Sequence, residues 1–299
     1  MPNGILIIDK PQDWTSMDVC AKLRGVLGEK RVGHAGTLDP MATGVLPVFV
    51  GRATRAVQYA ESGEKEYLAT LRLGLTTDTQ DIWGNILEEK PVPPDAKERL
   101  KALLPQFTGE IDQIPPMYSA VKIGGKKLYE LARKGQEVER KPRTVTIHEL
   151  ELLVNGPAGC PAPTDCPPNT YSLRVRCSKG TYIRTLCHDM GQALGCGGTM
   201  AALRRTMACG YTLTDSHTLE EVLNHPNPDS LLLPVDSLFA DRPALTLTPK
   251  QAERLSHGGS FSTPVQPGEY RAYAPSGDFL ALCKVDHGTL STIKSFFEV

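Results

Sequence analysis

Residues 31–55 read RVGHAGTLDPMATGVLPVFVGRATR, and the rest of the chain is organised around them. Gly33, Gly36, Gly44 and Gly51 punctuate the stretch, and glycine lets a backbone take positive φ or approach another group closely. The first half is therefore a shaped loop. The apolar run VLPVFV at 45–50 has the length of a strand and is bounded by glycines, which predicts a buried strand running into the core. Between loop and strand stands one acid, Asp39, followed by Pro40, whose ring pushes the preceding residue out of the helical region. Asp39 is thereby set at a bend at the mouth of a sheet. An Asp before Pro in such a loop also fits a plain turn former bonding its own backbone, and local spacing leaves both roles open.

The 299 residues, 40% apolar and 22% charged, can bury a full core and provide a large domain plus a small one. No apolar run approaches the ~20 residues needed to cross a bilayer. The opening MPNGILIIDKP lacks the charged start and long apolar middle of a signal peptide, so the expected location is cytoplasmic, with no membrane partner. The eight cysteines contain no C-x-x-C pair, which excludes zinc knuckles and thioredoxin-like motifs; most read as small buried hydrophobes. Cys160 and Cys166, in a Pro-rich stretch, could pair only in an oxidising compartment. No Walker loop, G-x-G-x-x-G or H-E-x-x-H motif is present, so neither a cofactor nor a metal is expected.

Net charge is −1, so any nucleic-acid binding must rest on local patches. From Lys122 to Arg143 eight basic residues face three acids, from Arg174 to Arg184 there are four basic residues and no acid, and Arg204 and Arg205 follow. Each cluster alone is compatible with ordinary solvated surface. Several on one nearly neutral chain favour a groove for a polyanion, because phosphate contacts supply most non-specific affinity.

Along the chain, residues 4–8 read as a strand leading through DKPQDWTS to a helix ending near Leu27, with Thr15 or Ser16 as N-cap. Asp13 stands at a turn position expected to take positive φ. Residues 52–61 read as a helix and 64–73 as a strand, whose alternation puts Tyr67 on one face with Ala69 and Leu71. Residues 74–84 form a structured turn without the ligands of a Ca²⁺ loop, and 93–105 a helix. Residues 114–127 form a hairpin turning at Gly124-Gly125. Two strands, near 144–154 and 171–177, flank an apparent Pro-rich insertion. Thr181 can cap a helix to about Leu194, and Arg184 lies in its first turn, where the helix dipole disfavours a cation. Residues 224–242 read as a linker. From Pro243 short strands with turn signals predict a small β-barrel.

The run Gly33-His34-Ala35-Gly36-Thr37-Leu38-Asp39-Pro40, followed by Ala42, Gly44, Val45 and Leu46, resembles the signature of the TruB-type tRNA pseudouridine synthases. Further motifs resemble that family in the expected order, from DKPQDWTS, where Asp13 replaces a usual Gly, to CSKGTYIRTL at 177–186, so the resemblance covers essentially the whole chain. It implies an α+β fold around a mostly antiparallel central sheet at 1–240, with a thumb-like basic segment at 114–143, and a PUA-type RNA-binding barrel at 243–299. It also implies the activity: conversion to pseudouridine of the uridine at position 55 in the T loop of tRNA. By residue, the resemblance makes Asp39 the catalytic acid, Arg184 its charge partner, which would hold its carboxylate charged, and Tyr67 the base stacker and possible proton acceptor. It puts His34 in the stack vacated by the flipped base, Tyr182 and Leu203 at the base pocket, and Lys10 in support of the loop. The partner is tRNA, with no DNA and no obligatory protein partner; the long basic segment resembles the stand-alone bacterial enzymes and not the dyskerin branch, which uses guide RNA and partner proteins.

The chemistry is consistent with these residues. Uridine becomes pseudouridine when the bond from ribose to N1 breaks, the base turns and C5 takes its place, which consumes no electrons, phosphate or donor group. One carboxylate suffices as nucleophile or base; attack on the sugar and attack on the base both remain open. Two alternatives compete. A non-catalytic RNA chaperone explains the basic patches but not the Asp39 loop, and a nucleoside hydrolase normally uses a second acid, which is not found near Asp39 in sequence.

Overall fold

The structure, a computed structural model, describes residues 2–153 and 168–297; Cys160, Cys166 and most of the Pro-rich insertion lie outside the described residues. Strand β1 (Gly4–Lys10) runs to helix α1 (Ser16–Leu27), and β2 (Val32–His34) and β3 (Thr43–Val50) bracket the Asp39 loop. A 3-10 segment and α2 (Val57–Glu61) lead to β4 (Lys65–Leu73), the hairpin β5 (Leu75–Thr77) and β6 (Ile86–Glu89), α3 (Ala96–Leu103) and β7 (Gly109–Gln113). The basic segment 114–143 contains β8 (Lys122–Ile123), β9 (Lys126–Lys127) and α4 (Leu128–Ala132). Then follow β10 (Arg143–Leu152), β11 (Thr170–Cys177), α5 (Ile183–Ala193), β12 (Gly198–Ala208), β13 (Tyr211–Thr212), β14 (His217–Thr218) and α6 (Leu219–Asn224).

These build one mixed sheet in the order β14-β1-β3-β12-β4-β11-β10-β7, with β2 and β13 attached to β3 and β12. It is antiparallel except where β1 meets β14 and where β12 meets β3. The expected α+β class with a mostly antiparallel central sheet is thus observed. Buried strands need apolar residues on both faces, and β3 is covered throughout from Gly44 to Val50. One core lies between the sheet and α1 and α5, joining Leu6, Val19, Leu46, Leu71, Leu186 and Met190.

Local chemistry explains the ends of α1. Thr15 caps it, its hydroxyl accepting from the Asp18 N–H while the Asp18 carboxylate accepts from the Thr15 N–H, a reciprocal capping box. Gly28 closes it at φ 61°. Asp13 takes φ 68°, as its turn position predicted. Helix α5 departs from expectation: its N-cap is Tyr182, and the Thr181 hydroxyl instead donates to the Ser178 carbonyl at 2.9 Å. The segment at 52–61 begins as a 3-10 turn, and the helix at 93–105 is confined to α3 with a 3-10 continuation.

The C-terminal part forms a five-stranded sheet in the order β15-β17-β18-β19-β16, made of β15 (Ala244–Thr246), β16 (Phe261–Ser262), β17 (Gly268–Tyr273), β18 (Phe279–Asp286) and β19 (Thr289–Ser295). Helix α7 (Pro249–Ser256), capped by Thr248, is an addition to the expected string of strands. The stretch read as a linker does more than connect. Its Val235 and Phe239 are buried with Ile5, Phe49, Leu282 and Phe296, so it supplies the apolar contact between the two sheets. Among the described residues, no helix is long and apolar enough to cross a membrane.

Candidate active site

The loop carrying Asp39 is tied down on three sides. The Ala42 N–H donates to the Asp39 carbonyl at 3.0 Å and the Asp13 N–H to the Pro40 carbonyl at 2.9 Å. The Ser16 hydroxyl, in the first turn of α1, both accepts from the Leu38 N–H at 2.9 Å and donates to the Leu38 carbonyl at 3.2 Å. Because these bonds satisfy the backbone around it, the Asp39 side chain has no turn to serve and stays partly exposed to solvent.

The carboxylate meets Arg184, carried by the first turn of α5. Arg184 Nε lies 3.0 Å from Asp39 Oδ2 and Nη2 3.5 Å from Oδ1. The arginine side chain is 6% exposed and that of Asp39 38%, so the cation is fixed in the wall and the acid remains accessible. Arg184 is held by two carbonyls as well, Nη1 donating to Thr79 at 3.0 Å and Nη2 to Tyr118 at 2.8 Å. A second carboxylate, Asp81, stands 3.5 Å from Nη1. Burial pushes the Asp81 carboxyl above the usual range, against hydrogen bonding from Thr79 and the charge of Arg184.

Asp81 was missed in the sequence, where residues 74–84 read only as a turn. The carboxylate does shape that turn, accepting from the Thr79 hydroxyl at 2.8 Å and the Trp83 N–H at 3.1 Å. Its other oxygen serves Arg184, a partner that only the fold brings near. The awkward cation at the head of α5 is explained by two acids and two carbonyls.

Tyr67 on β4 is buried in the same core as Ala69, Leu71 and Leu203. Leu203 pairs with Ala69 across β12 and β4, so it shares a face with Tyr67 one pair along. Lys10, at the end of β1, is fully buried; its ammonium donates to the carbonyls of Pro11, Trp14 and Pro40 at 2.8, 2.7 and 3.3 Å. It braces the loop one residue beyond Asp39. Burial lowers its pKa to about 8, against the charge of Asp39. His34 ends β2 half-buried, with Nδ1 lacking a hydrogen-bond partner. Burial, then the charge of Arg205, pushes it below the ordinary imidazole range, so it is neutral at physiological pH. Tyr182 is positioned through its backbone: the Gln113 side chain donates to its carbonyl at 3.2 Å and accepts from its N–H at 3.0 Å. Gln113 thereby replaces the missing side-chain cap of α5.

The arginines of two of the three basic clusters are matched by carboxylates or buried, while Lys179 of the second cluster is exposed. Arg174 pairs with Glu66, Glu149 and Glu151, and Arg176 with Glu64 and Glu149, at 2.7–3.3 Å. They alternate with Val175, the cross-strand partner of Tyr67, so this charge network occupies the sheet face opposite the site. Arg204 forks onto Asp9 at 2.7 and 3.2 Å, and Arg205 is 1% exposed. The third cluster is open: Lys122, Lys126, Arg133, Lys134, Lys141 and Arg143 are exposed on the segment that also gives the Tyr118 carbonyl to Arg184.

Residues 24–183 match the family described as TruB family pseudouridylate synthase (N terminal domain). Residues 184–240 match the tRNA pseudouridylate synthase B C-terminal domain and 243–297 the tRNA Pseudouridine synthase II C terminal. The chain is 40% identical to the tRNA pseudouridine synthase B of Francisella tularensis subsp. novicida, over 99% of this chain and 95% of that one. It is 43% identical to the same enzyme of Syntrophomonas wolfei, over 97% and 96%. Among solved structures, that of a Cbf5-Nop10-Gar1 complex superposes with a TM-score of 0.72 at 25% identity, covering 98% of this chain and 85% of that one.

Proposed function

Since this chain belongs to the TruB family and is a tRNA pseudouridine synthase, we propose that it isomerises the uridine at position 55 of the tRNA T loop, with Asp39 as the catalytic nucleophile. The observation that carries this assignment is the 3.0 Å pair between Asp39 and Arg184, an accessible carboxylate held by a buried guanidinium. The target base is flipped out of the T loop, since its reacting atoms are unreachable in the stack. Arg184 orients the carboxylate and balances its charge. Asp39 takes the place of one partner at the breaking bond, the base turns, and C5 bonds to the ribose. Tyr67 stacks on the base and, as phenolate after giving its own proton to solvent, accepts the proton that leaves C5, while N1 takes up a proton from solvent, so the isomerisation is balanced.

Leu203 and Tyr182 line the base pocket, His34 fills the space the base leaves in the T loop, and Lys10 braces the loop behind Asp39. A neutral His34 suits stacking, because it inserts no charge among bases. The exposed cations of 114–143 form a thumb over the phosphates of the T arm, as their solvent exposure supports. Residues 1–240 act as the catalytic domain and 243–299 as a PUA-type RNA-binding domain, a division supported by the separate C-terminal sheet. The enzyme works in the cytoplasm on tRNA with no obligatory protein partner.

The test is incubation of the purified protein with an unmodified tRNA and with an isolated T-arm stem-loop, followed by nucleoside analysis. Pseudouridine at position 55 in both, and none elsewhere, is expected. Free uracil would identify a hydrolase, and binding without any modified nucleoside would identify a chaperone.

A further inference from the structure

Three cations lie buried around the Asp39 loop, and among the described residues no carboxylate is hydrogen-bonded to any of them. Lys10 is 0% exposed, Lys65 6% and Arg205 1%. The hydrogen bonds of the two lysines run only to carbonyls, those of Lys65 to Glu61 at 2.8 Å and Gly63 at 2.6 Å. Burying a charge without a counter-charge is costly, so such a cluster has to answer to something other than stability. Arg205 is the member whose contacts point to a purpose.

Its place follows from sheet register. Lys10 pairs with Gly44 across β1 and β3, Gly44 with Arg205 across β3 and β12, and Arg205 with Tyr67 across β12 and β4. Residues paired in this way present their side chains to one face. The row therefore aligns the Lys10 ammonium, the Arg205 guanidinium and the Tyr67 phenol under the loop, with a glycine in the gap. Gly44 has φ 103°, and a Cβ there would meet the Arg205 backbone, so no other residue permits the approach.

Arg205 Nε donates to the Val45 carbonyl at 2.7 Å and Nη2 to the Gly36 carbonyl at 3.0 Å. These acceptors stand on either side of Asp39 in the chain, and Arg205 is the cross-strand partner of Tyr67 on the same face of the sheet. One planar fork thus joins both ends of the loop carrying the acid to the strand carrying the tyrosine, a geometry available to arginine and not to lysine.

We infer that Arg205 is a positioning residue for the isomerisation, fixing the Tyr67 phenol oxygen against the Asp39 loop and offsetting the negative charge of the phenolate that takes the C5 proton. The inference rests on the reading of Tyr67 as the proton acceptor. In that step the Tyr67 phenol first releases its proton to solvent, giving a minor phenolate form that burial disfavours and Arg205 favours; the phenolate oxygen then bonds the proton from C5, and the C5–H electron pair restores the C5–C6 double bond. Burial pushes the Tyr67 phenol up, and Arg205 is the strongest influence against it; the other groups facing it are Cys177 on β11 and Asp39. Arg205 itself is faced by Lys10, His34, Lys65 and Cys209. Both thiols are pushed up by burial, Cys177 to about 11, and are neutral at the pH of catalysis.

The test labels tyrosine at Cζ, identifies the Tyr67 signal among nine tyrosines by its loss in Tyr67→Phe, and follows its titration by NMR in the full-length protein beside single-turnover kinetics. In Arg205→Met the Tyr67 titration should move up by at least one pH unit, and the rising limb of the pH–rate profile should move with it. At pH 7 kcat should fall at least tenfold while KM changes less than about threefold. Arg205→Lys keeps the charge and loses the fork; it should fold, leave Tyr67 less shifted than the methionine variant and still lose kcat by several-fold. A Tyr67 titration unchanged in whichever variant folds, or wild-type kcat in Arg205→Lys, overturns the role of Arg205. Full activity in Tyr67→Phe removes the premise instead, and is read separately from the titration.

Discussion

Replacing Arg184 with methionine keeps a long side chain and removes five contacts at once. The stability cost comes chiefly from Asp81, whose side chain is 10% exposed and loses its counter-charge. Breaking a buried pair by deleting one partner costs ~3–5 kcal/mol. Asp39, at 38% exposure, is screened by water and adds little. The loss should therefore sit near the low end, about 3 kcal/mol, and leave a domain of ordinary stability folded. The catalytic cost comes from Asp39. Charge-assisted hydrogen bonds are worth ~1.5–3 kcal/mol, and of the two to Asp39 only the 3.0 Å contact is well formed while the other is at 3.5 Å. About 2–4 kcal/mol lost from the transition state corresponds to roughly 30- to 1,000-fold in kcat. Arg184 is buried and offers nothing to the RNA surface, so Kd should stay within about threefold. The assay is single-turnover tritium release from a T-arm stem-loop labelled at uridine C5, with filter binding and urea unfolding in parallel. Weakened binding with intact kcat would refute the reasoning, as would full activity.

Three further outcomes are expected. Lys126→Gln with Lys127→Gln should weaken tRNA binding and reduce the slope of log K against log salt by about one to two, whereas Arg174→Gln should leave binding and slope unchanged because that guanidinium is already matched by glutamates; filter binding between 50 and 200 mM salt decides it. Gly44→Ala places a methyl against the Arg205 backbone at positive φ and should lose more than ~2 kcal/mol in urea unfolding, combining overpacking with left-handed strain. Asp189 is pushed up by burial to about 6. Its folded pKa exceeds the unfolded one, so the carboxyl favours folding only while protonated, and that contribution disappears as pH rises from about 4 to 6. Asp189→Asn should thus stabilise the protein at pH 7 by about 1–2 kcal/mol, discounted for partial exposure, and by nothing at pH 4.

What was legible in the chain is what neighbours in sequence decide. The bend before Pro40, the strand after it, the positive φ at Asp13, the cap at Thr15 and the Gly124-Gly125 turn, with φ 56° and 82°, all follow from residues within a few positions. What was not legible depends on register. Arg174 and Arg176 look like an open basic patch until β4 and β10 bring four glutamates alongside. Arg204 and Arg205 look alike in sequence, but adjacent residues of a strand point to opposite faces, one to Asp9 and the other under the Asp39 loop. Asp81 could have been suspected only from the question of what neutralises a cation at the head of α5. The Asp39–Arg184 pairing was reached through family resemblance, and its distance is a property of the fold.

The central claim is that one carboxylate, held by a buried arginine, performs the isomerisation. Its most direct test is Asp39→Asn, which keeps shape and removes charge, assayed by tritium release from C5-labelled uridine in the T-arm stem-loop together with Kd for the same RNA. Tritium release at background with Kd within about threefold of wild type is predicted. Release at more than a tenth of the wild-type rate by correctly folded Asp39→Asn protein would contradict it.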